Sequence, residues 1–238
     1  MNVLITGASS GLGKSLLNEF TSRGCSVWGV ARRNVEEVRF APNSQGKWFY
    51  SQCDITDANA VKKTVRDMIA VDFVPDIVIL NAGAAFDDII NGIDYNSFKE
   101  NFNLNLFGAM NWVSEILPIF LLRNKGIFVA ISTLSVFREN HRNRIAYSSA
   151  KSALSTVFEN LRLQYYSSEI QFVVVHAGRM SNERSFIGTT YDAAARLIAD
   201  KLLSGNIPHT INFPLFQSLL TKLSRLIPDS LFYKYCMK

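Results

Sequence analysis

Val3-Leu4-Ile5-Thr6-Gly7-Ala8-Ser9-Ser10-Gly11-Leu12-Gly13-Lys14-Ser15-Leu16-Leu17 passes from an apolar run, through a turn holding three glycines, into a helical pattern. The glycines let the backbone bend tightly and approach an anion closely. The helix that opens there offers free N–H groups and the positive end of its dipole. A glycine-rich turn by itself often marks only a tight connection. Set between a first strand and a first helix, it points to a pyrophosphate site.

The same strand-to-helix alternation continues almost to the end. Apolar runs at 26–31, 48–53, 76–80, 126–132, 170–176 and 209–213 predict six more strands. Helical patterns fall at 11–24, 58–70 (with Asp57 as N-cap), 94–110, 111–123 and 145–167. The runs at 76–80 and 170–176 lack polar alternation, as strands buried on both faces do. Strands alternating with helices mean parallel pairing through right-handed crossovers. The expected fold is α/β: three αβα layers with a doubly wound, mostly parallel seven-stranded sheet. It is read as one domain over 1–214, followed by a helical arm over 215–238.

Composition narrows the class without naming a chemistry. With 48% hydrophobic and 19% charged residues, 238 residues suffice for a sizeable buried core. An aromatic share of 12% argues against disorder, and 13 Gly and 6 Pro argue against a collagen-like chain. The longest apolar run, around 116–122, is interrupted by Pro118, so no membrane span is expected. The N-terminus has no basic region of the signal-peptide kind. A net charge of +5 is spread along the chain, which suits solubility or an anionic small molecule better than nucleic acid. Cys25, Cys53 and Cys236 have no metal-like spacing; they read as free thiols in a reducing, cytoplasmic setting, with no metal site.

The spacing T-G-x-x-x-G-x-G resembles the short-chain dehydrogenase/reductase family, and four further motifs follow in the family's order. Asp54 stands after the third strand, Asn81-Ala82-Gly83 after the fourth, Asn105-Leu106-Phe107-Gly108 in the next long helix, and Tyr147-Ser148-Ser149-Ala150-Lys151 after the fifth strand. The resemblance implies a Rossmann-type domain that binds a nicotinamide dinucleotide and interconverts a carbonyl and an alcohol. It places the cofactor against Gly7, Ser9, Ser10, Gly11, Leu12, Gly13, Asp54, Ile55, Asn81, Ala82, Gly83, Tyr147, Lys151 and Gly178. It also implies a small-molecule substrate and a homodimer or homotetramer. Epimerisation through a transient ketone, or cofactor sensing without turnover, would use the same fold.

Residues four apart share a helix face, so Lys151 can sit close to the Tyr147 phenol. A free Tyr titrates near pH ~10, and a nearby ammonium should favour its phenolate. By resemblance, Tyr147 gives its proton to the carbonyl oxygen, Lys151 also holds the nicotinamide ribose, and Asn105 supports a relaying water. The family's catalytic Ser falls on Thr133 when aligned through Ile131-Ser132. The interval to Tyr147 is one residue longer than the family's, which leaves Ser132 and Ser135 open.

Two departures stand out. Where the family shows P-G-x-x-x-T, this chain has Ala177-Gly178-Arg179-Met180-Ser181-Asn182, and Asn182 is expected to serve for the Thr. At the end of the second strand Ala31 replaces the carboxylate that holds an NAD ribose, and Arg32 and Arg33 follow. A guanidinium clamps a 2′-phosphate with two hydrogen bonds, so NADP(H) is expected over NAD(H). His176 reads as a strand-end packing residue. The basic loop carrying Arg138, His141, Arg142 and Arg144 suggests a polar or anionic substrate, with a solvated loop as the plainer reading. In the arm, Phe216, Leu219, Leu220, Leu223, Leu226 and Ile227 recur at helical spacing opposite Lys222 and Arg225, up to Pro228. Packing on the domain or a neighbouring subunit is expected ahead of membrane association.

Overall fold

Val3, Leu4 and Ile5 are fully buried, so the first strand, β1 (Asn2–Thr6), lies inside a sheet covered on both faces. It pairs in parallel with β2 (Ser26–Ala31), and β3 (Trp48–Gln52) lies outside β2. On its other side stand β4 (Ile77–Leu80), β5 (Lys125–Thr133) and β6 (Glu169–Ala177). A short separate ladder joins β7 (Met180–Ser181) to β8 (Thr189–Thr190), and β9 (Thr210–Phe213) closes the sheet beyond β6. The order is β3-β2-β1-β4-β5-β6-β9. Every ladder in it is parallel, where the sequence predicted mostly parallel pairing. The computed structural model describes residues 1–34, 46–86, 92–139, 143–183 and 188–236.

Helices fill the crossovers from β1 to β2, β3 to β4, β4 to β5, β5 to β6 and β6 to β9. They are α1 (Gly11–Ser22), α2 (Ala58–Ala70), α3 (Tyr95–Phe102), α4 (Gly108–Arg123), α5 (Ile145–Gln164) and α6 (Tyr191–Leu203). Asp57 caps α2 by accepting the N–H groups of Asn59 and Ala60. One core lies between the sheet and α1 and α6, around Leu16, Phe20 and Ile198. The other lies beneath α2, α4 and α5, around Trp112, Phe120, Phe128 and Phe158.

The two helices predicted at 94–110 and 111–123 are one continuous run from Tyr95 to Arg123. Its break is a π-helical turn at Asn103–Phe107, which turns Asn105 and Leu106 into the interior. Such single π turns widen the helix by one residue and recur at functional sites. Pro118 stays inside α4 rather than ending it. By length and composition this run could cross a membrane, contrary to the sequence expectation. Half of its most apolar window is nevertheless buried, with Trp112, Ile116 and Phe120 in the core, which is how a core helix of a sheet protein is placed.

Candidate functional site

The strand order reverses between β1 and β4, and the loops leaving those strands part there. Gly7 (φ +71°) and Gly11 (φ +51°) adopt the left-handed conformation that side chains strain. Thr6 Oγ1 ties the two loops together by accepting the N–H groups of Asn81 and Ala82, both at 3.0 Å. Asn81 Nδ2 returns a bond to Thr6 O at 3.0 Å. A Cβ on Gly13 would lie 2.1 Å from Gly7 O, so only glycine lets α1 approach the turn this closely. The Ser10 side chain makes no capping bond to the first turn of α1 and that turn holds no acid, which leaves the helix start open to an anion.

A cavity of about 430 Å³ lies over this turn. Gly7, Ser9, Ser10, Gly11, Leu12, Arg32, Arg33, Asp54, Ile55, Asn81, Ala82 and Gly83 all line it; Gly13 lies beneath. Arg33 Nη2 donates to Ser10 Oγ at 3.0 Å, bridging the end of β2 to the glycine turn. Asp54 is occupied within its own loop, accepting the Thr56 N–H at 2.9 Å and its hydroxyl at 2.8 Å. Tyr191 at the start of α6 and Leu104 in the π turn also line it. Neither carries a sequence signal, because each arrives only through tertiary packing.

A second cavity, of about 690 Å³, meets the first at Asn81, Gly83 and Ala84. Tyr147, Lys151, Ser132, Thr133, Ser135 and Gly178 line it. Lys151 is only 4% exposed and its Nζ donates to Ile131 O at 2.8 Å; burial pulls its pKa down to about 8. The Tyr147 phenol is held above its ordinary value by burial. Arg144 pulls it down and Glu139 pushes it up. The expected depression by Lys151 is therefore reversed in this structure, because the ammonium is turned to a backbone carbonyl and Arg144 is the cation acting on the phenol.

Ser132 Oγ lies 2.8 Å from Ser155 Oγ and 3.3 Å from Lys151 O, so its hydroxyl serves the packing of α5 on β5. Thr133 Oγ1 accepts the Ser135 N–H at 3.2 Å and caps the short 3-10 turn Leu134–Val136. Asn105 is buried; its Nδ2 donates to Ala84 O at 2.8 Å and to Asn101 O at 3.1 Å. Its Oδ1 is a buried oxygen with no hydrogen-bond partner among the described residues. A Cβ on Gly83 would lie 2.6 Å from that oxygen and 3.0 Å from Lys151 Nζ. Asn105 and Lys151 thus flank Gly83 where the cavities join. The glycine cradle, the open helix start and the orphaned Asn105 oxygen together fit a bound dinucleotide.

Beyond Gly178, two helices follow the domain, α7 (Leu215–Ser224) and α8 (Asp229–Cys236). Gln217 and Thr221 of α7 line the larger cavity, and Gln217 Oε1 accepts the Arg179 N–H at 3.2 Å. Arg138 borders the cavity, yet its guanidinium is committed elsewhere. It donates to the carbonyls of Ser224 and Ile227, pairs with Asp229 at 2.7 Å and stacks 3.8 Å over the Phe232 ring. Arg138 therefore holds the arm rather than a substrate anion. Arg144 does line the cavity, while His141 and Arg142 lie outside the described residues. Asn182 is exposed and does not line the cavity. His176 is buried against Phe137, with Nδ1 3.0 Å from Asn212 Oδ1, away from Tyr147's cavity.

A family model described as short chain dehydrogenase matches residues 1–185. An uncharacterized oxidoreductase of Myxococcus xanthus is 27% identical over 240 residues, covering 96% of this chain and 93% of its own length. The fatty acyl-CoA reductase of Acinetobacter baylyi is 32% identical over 179 residues; the match covers 73% of this chain and 60% of that enzyme. A short-chain dehydrogenase structure from Streptomyces avermitilis shares the fold, with a TM-score of 0.81 at 22% identity over 98% of this chain and 94% of its own. The glycine turn, the junction at Gly83 and the helix carrying Tyr147 and Lys151 all fall within the matched residues, and the chain is an oxidoreductase belonging to the short-chain dehydrogenase family.

Proposed function

We propose that the chain reduces a small-molecule carbonyl to an alcohol at the expense of NADPH, with Tyr147 as the proton donor. The observation that carries this reading is the continuity of the two cavities. Tyr147, Lys151 and Thr133 border one, the glycine turn borders the other, and Gly83 stands at their junction. Bound in the smaller cavity, a reduced nicotinamide dinucleotide supplies the hydride.

The chain's own residues do the rest. Tyr147, held above its ordinary pKa by burial, keeps its proton at neutral pH, the form a donor to a developing alkoxide needs. Thr133, or Ser135 beside it, donates a hydrogen bond to the carbonyl oxygen and fixes its approach to the phenol. Lys151 holds the ribose hydroxyls beside Gly83, and the Asn105 oxygen holds a water through which Tyr147 regains a proton. Arg32 and Arg33, at the rim next to Ser10, take the 2′-phosphate that selects NADPH. The Acinetobacter relative is named a fatty acyl-CoA reductase, which supports reduction as the direction and leaves the substrate class wide.

The test is oxidation of NADPH and of NADH over a panel of sugar-nucleotide ketones, quinones, steroids and long-chain ketones or acyl thioesters. The expected result is turnover of at least one carbonyl class with NADPH preferred by tenfold or more. A tenfold preference for NADH would remove the 2′-phosphate site from the account, and no reduction of any class would remove the reductase.

A further inference from the structure

A helix on the surface of a water-soluble domain ordinarily turns its apolar side inward. α7 does the reverse. Ser218 is its buried residue, at 4% exposure, and Gln217 and Thr221 face the larger cavity. Leu215, Leu219 and Leu223, spaced by four, share the outer side with Phe216 and Leu220; Leu215 is 77% and Phe216 70% exposed. Leu226, Ile227 and Leu231 continue the apolar surface beyond α7, and all are exposed.

This orientation is built rather than accidental. The polar side is fastened to the domain by Arg138, through the Ser224 and Ile227 carbonyls, the Asp229 carboxylate and the Phe232 ring. The bond from the Arg179 N–H to Gln217 fastens the other end of α7. Lys222 lies 4.9 Å from the Phe137 ring centroid, at the border between the two sides. A continuous apolar surface held outward in this way marks a docking face.

Charge decides what docks. Among the described residues of α7 and the turn after it, Lys222 and Arg225 are exposed cations, and Asp229, the acid that follows them, is committed to Arg138. A second copy meeting this face about a two-fold axis would bring like cations together. An anionic headgroup layer complements them, while the leucines sink into the acyl boundary beneath it. We propose that the outer face of α7, continued by Leu226, Ile227 and Leu231, docks the protein on an anionic lipid bilayer. α7 then separates that bilayer from the larger cavity by about one helix diameter, ~10 Å.

Flotation with vesicles tests this using the full chain, without cofactor or substrate, so its outcome is independent of the proposed reaction. Vesicles of phosphatidylcholine alone are compared with vesicles in which about one-third is phosphatidylglycerol, at low salt and at ~0.5 M salt. The wild type is expected to float with the anionic vesicles at low salt and to lose most of that binding at high salt or with neutral lipid. The double variant Leu219→Glu/Leu223→Glu, altered only on the exposed side, should lose at least about tenfold in bound fraction, with its thermal unfolding unchanged. Arg225→Glu should weaken binding to anionic vesicles alone. Absence of wild-type flotation would overturn the proposal. So would a wild-type dimer that Leu219→Glu/Leu223→Glu converts to monomer in light scattering without affecting flotation, since the face would then belong to a second copy.

Discussion

Lys151 shows what the geometry of the candidate site costs at the level of one residue. An ammonium buried with one carbonyl acceptor at 2.8 Å titrates at about 8 instead of 10.5. Below about pH 8 the folded chain carries a buried charge that the unfolded chain leaves in water, a penalty of about 3 kcal/mol. Between pH 8 and 10.5 the unfolded state holds more protons than the folded one, so this penalty fades as pH rises. Lys151→Met should therefore stabilise the protein by about 1–3 kcal/mol in urea unfolding at pH 7, with the advantage shrinking toward pH 10. It should also abolish reductase activity. A variant that is destabilised at pH 7, or whose advantage does not change with pH, would contradict the burial of a charged Lys151. The spacing of Tyr147 and Lys151 is legible in the sequence because i and i+4 is a local relation. The raised phenol is not, because it depends on how deeply the fold buries the ring and on Arg144 rather than Lys151 acting on it.

At the scale of elements, the strands and their parallel pairing were legible because runs such as Val3-Leu4-Ile5 lack any polar alternation, and the structure buries them on both faces. The π turn at Asn103–Phe107 was not. An α-helix and a π turn demand the same apolar spacing over a few residues, and only packing selects the extra residue that brings Asn105 beneath Gly83. The arm shows the same limit. Its amphipathic pattern is plain in the sequence, but Arg138 lies 86 residues from Ser224, and nothing local reveals which side of α7 the domain takes. Arg138→Ala removes the carbonyl contacts, the Asp229 pair and the stacking on Phe232 at once, about 1–3 kcal/mol of local anchoring. Tryptic cleavage after Arg225 should accelerate by roughly tenfold, the change expected for about 1.4 kcal/mol lost from local closure. An unchanged cleavage rate would mean that the arm is held by other contacts. Gln217 and Thr221 should shift with it, so the same variant should raise KM for the carbonyl more than it changes kcat.

Over the whole molecule, the parallel sheet fixes where chemistry can occur. Its switch point opens one cavity over the glycine turn and a second between β5, β6 and the arm, and the two meet where Gly83, Asn105 and Lys151 converge. The charge of +5 is spread along the chain, and two of its cations, Arg32 and Arg33, stand on the rim of the smaller cavity. Binding and turnover should therefore separate cleanly. The most direct measurement is the pair of NADPH affinity and carbonyl turnover in Tyr147→Phe, which deletes one hydroxyl and leaves both cavities standing. The expected result is an NADPH dissociation constant within about twofold of the wild type and turnover lower by about 10²–10⁴-fold, the worth of a positioned general acid. Turnover within tenfold of the wild type at unchanged NADPH affinity would contradict it.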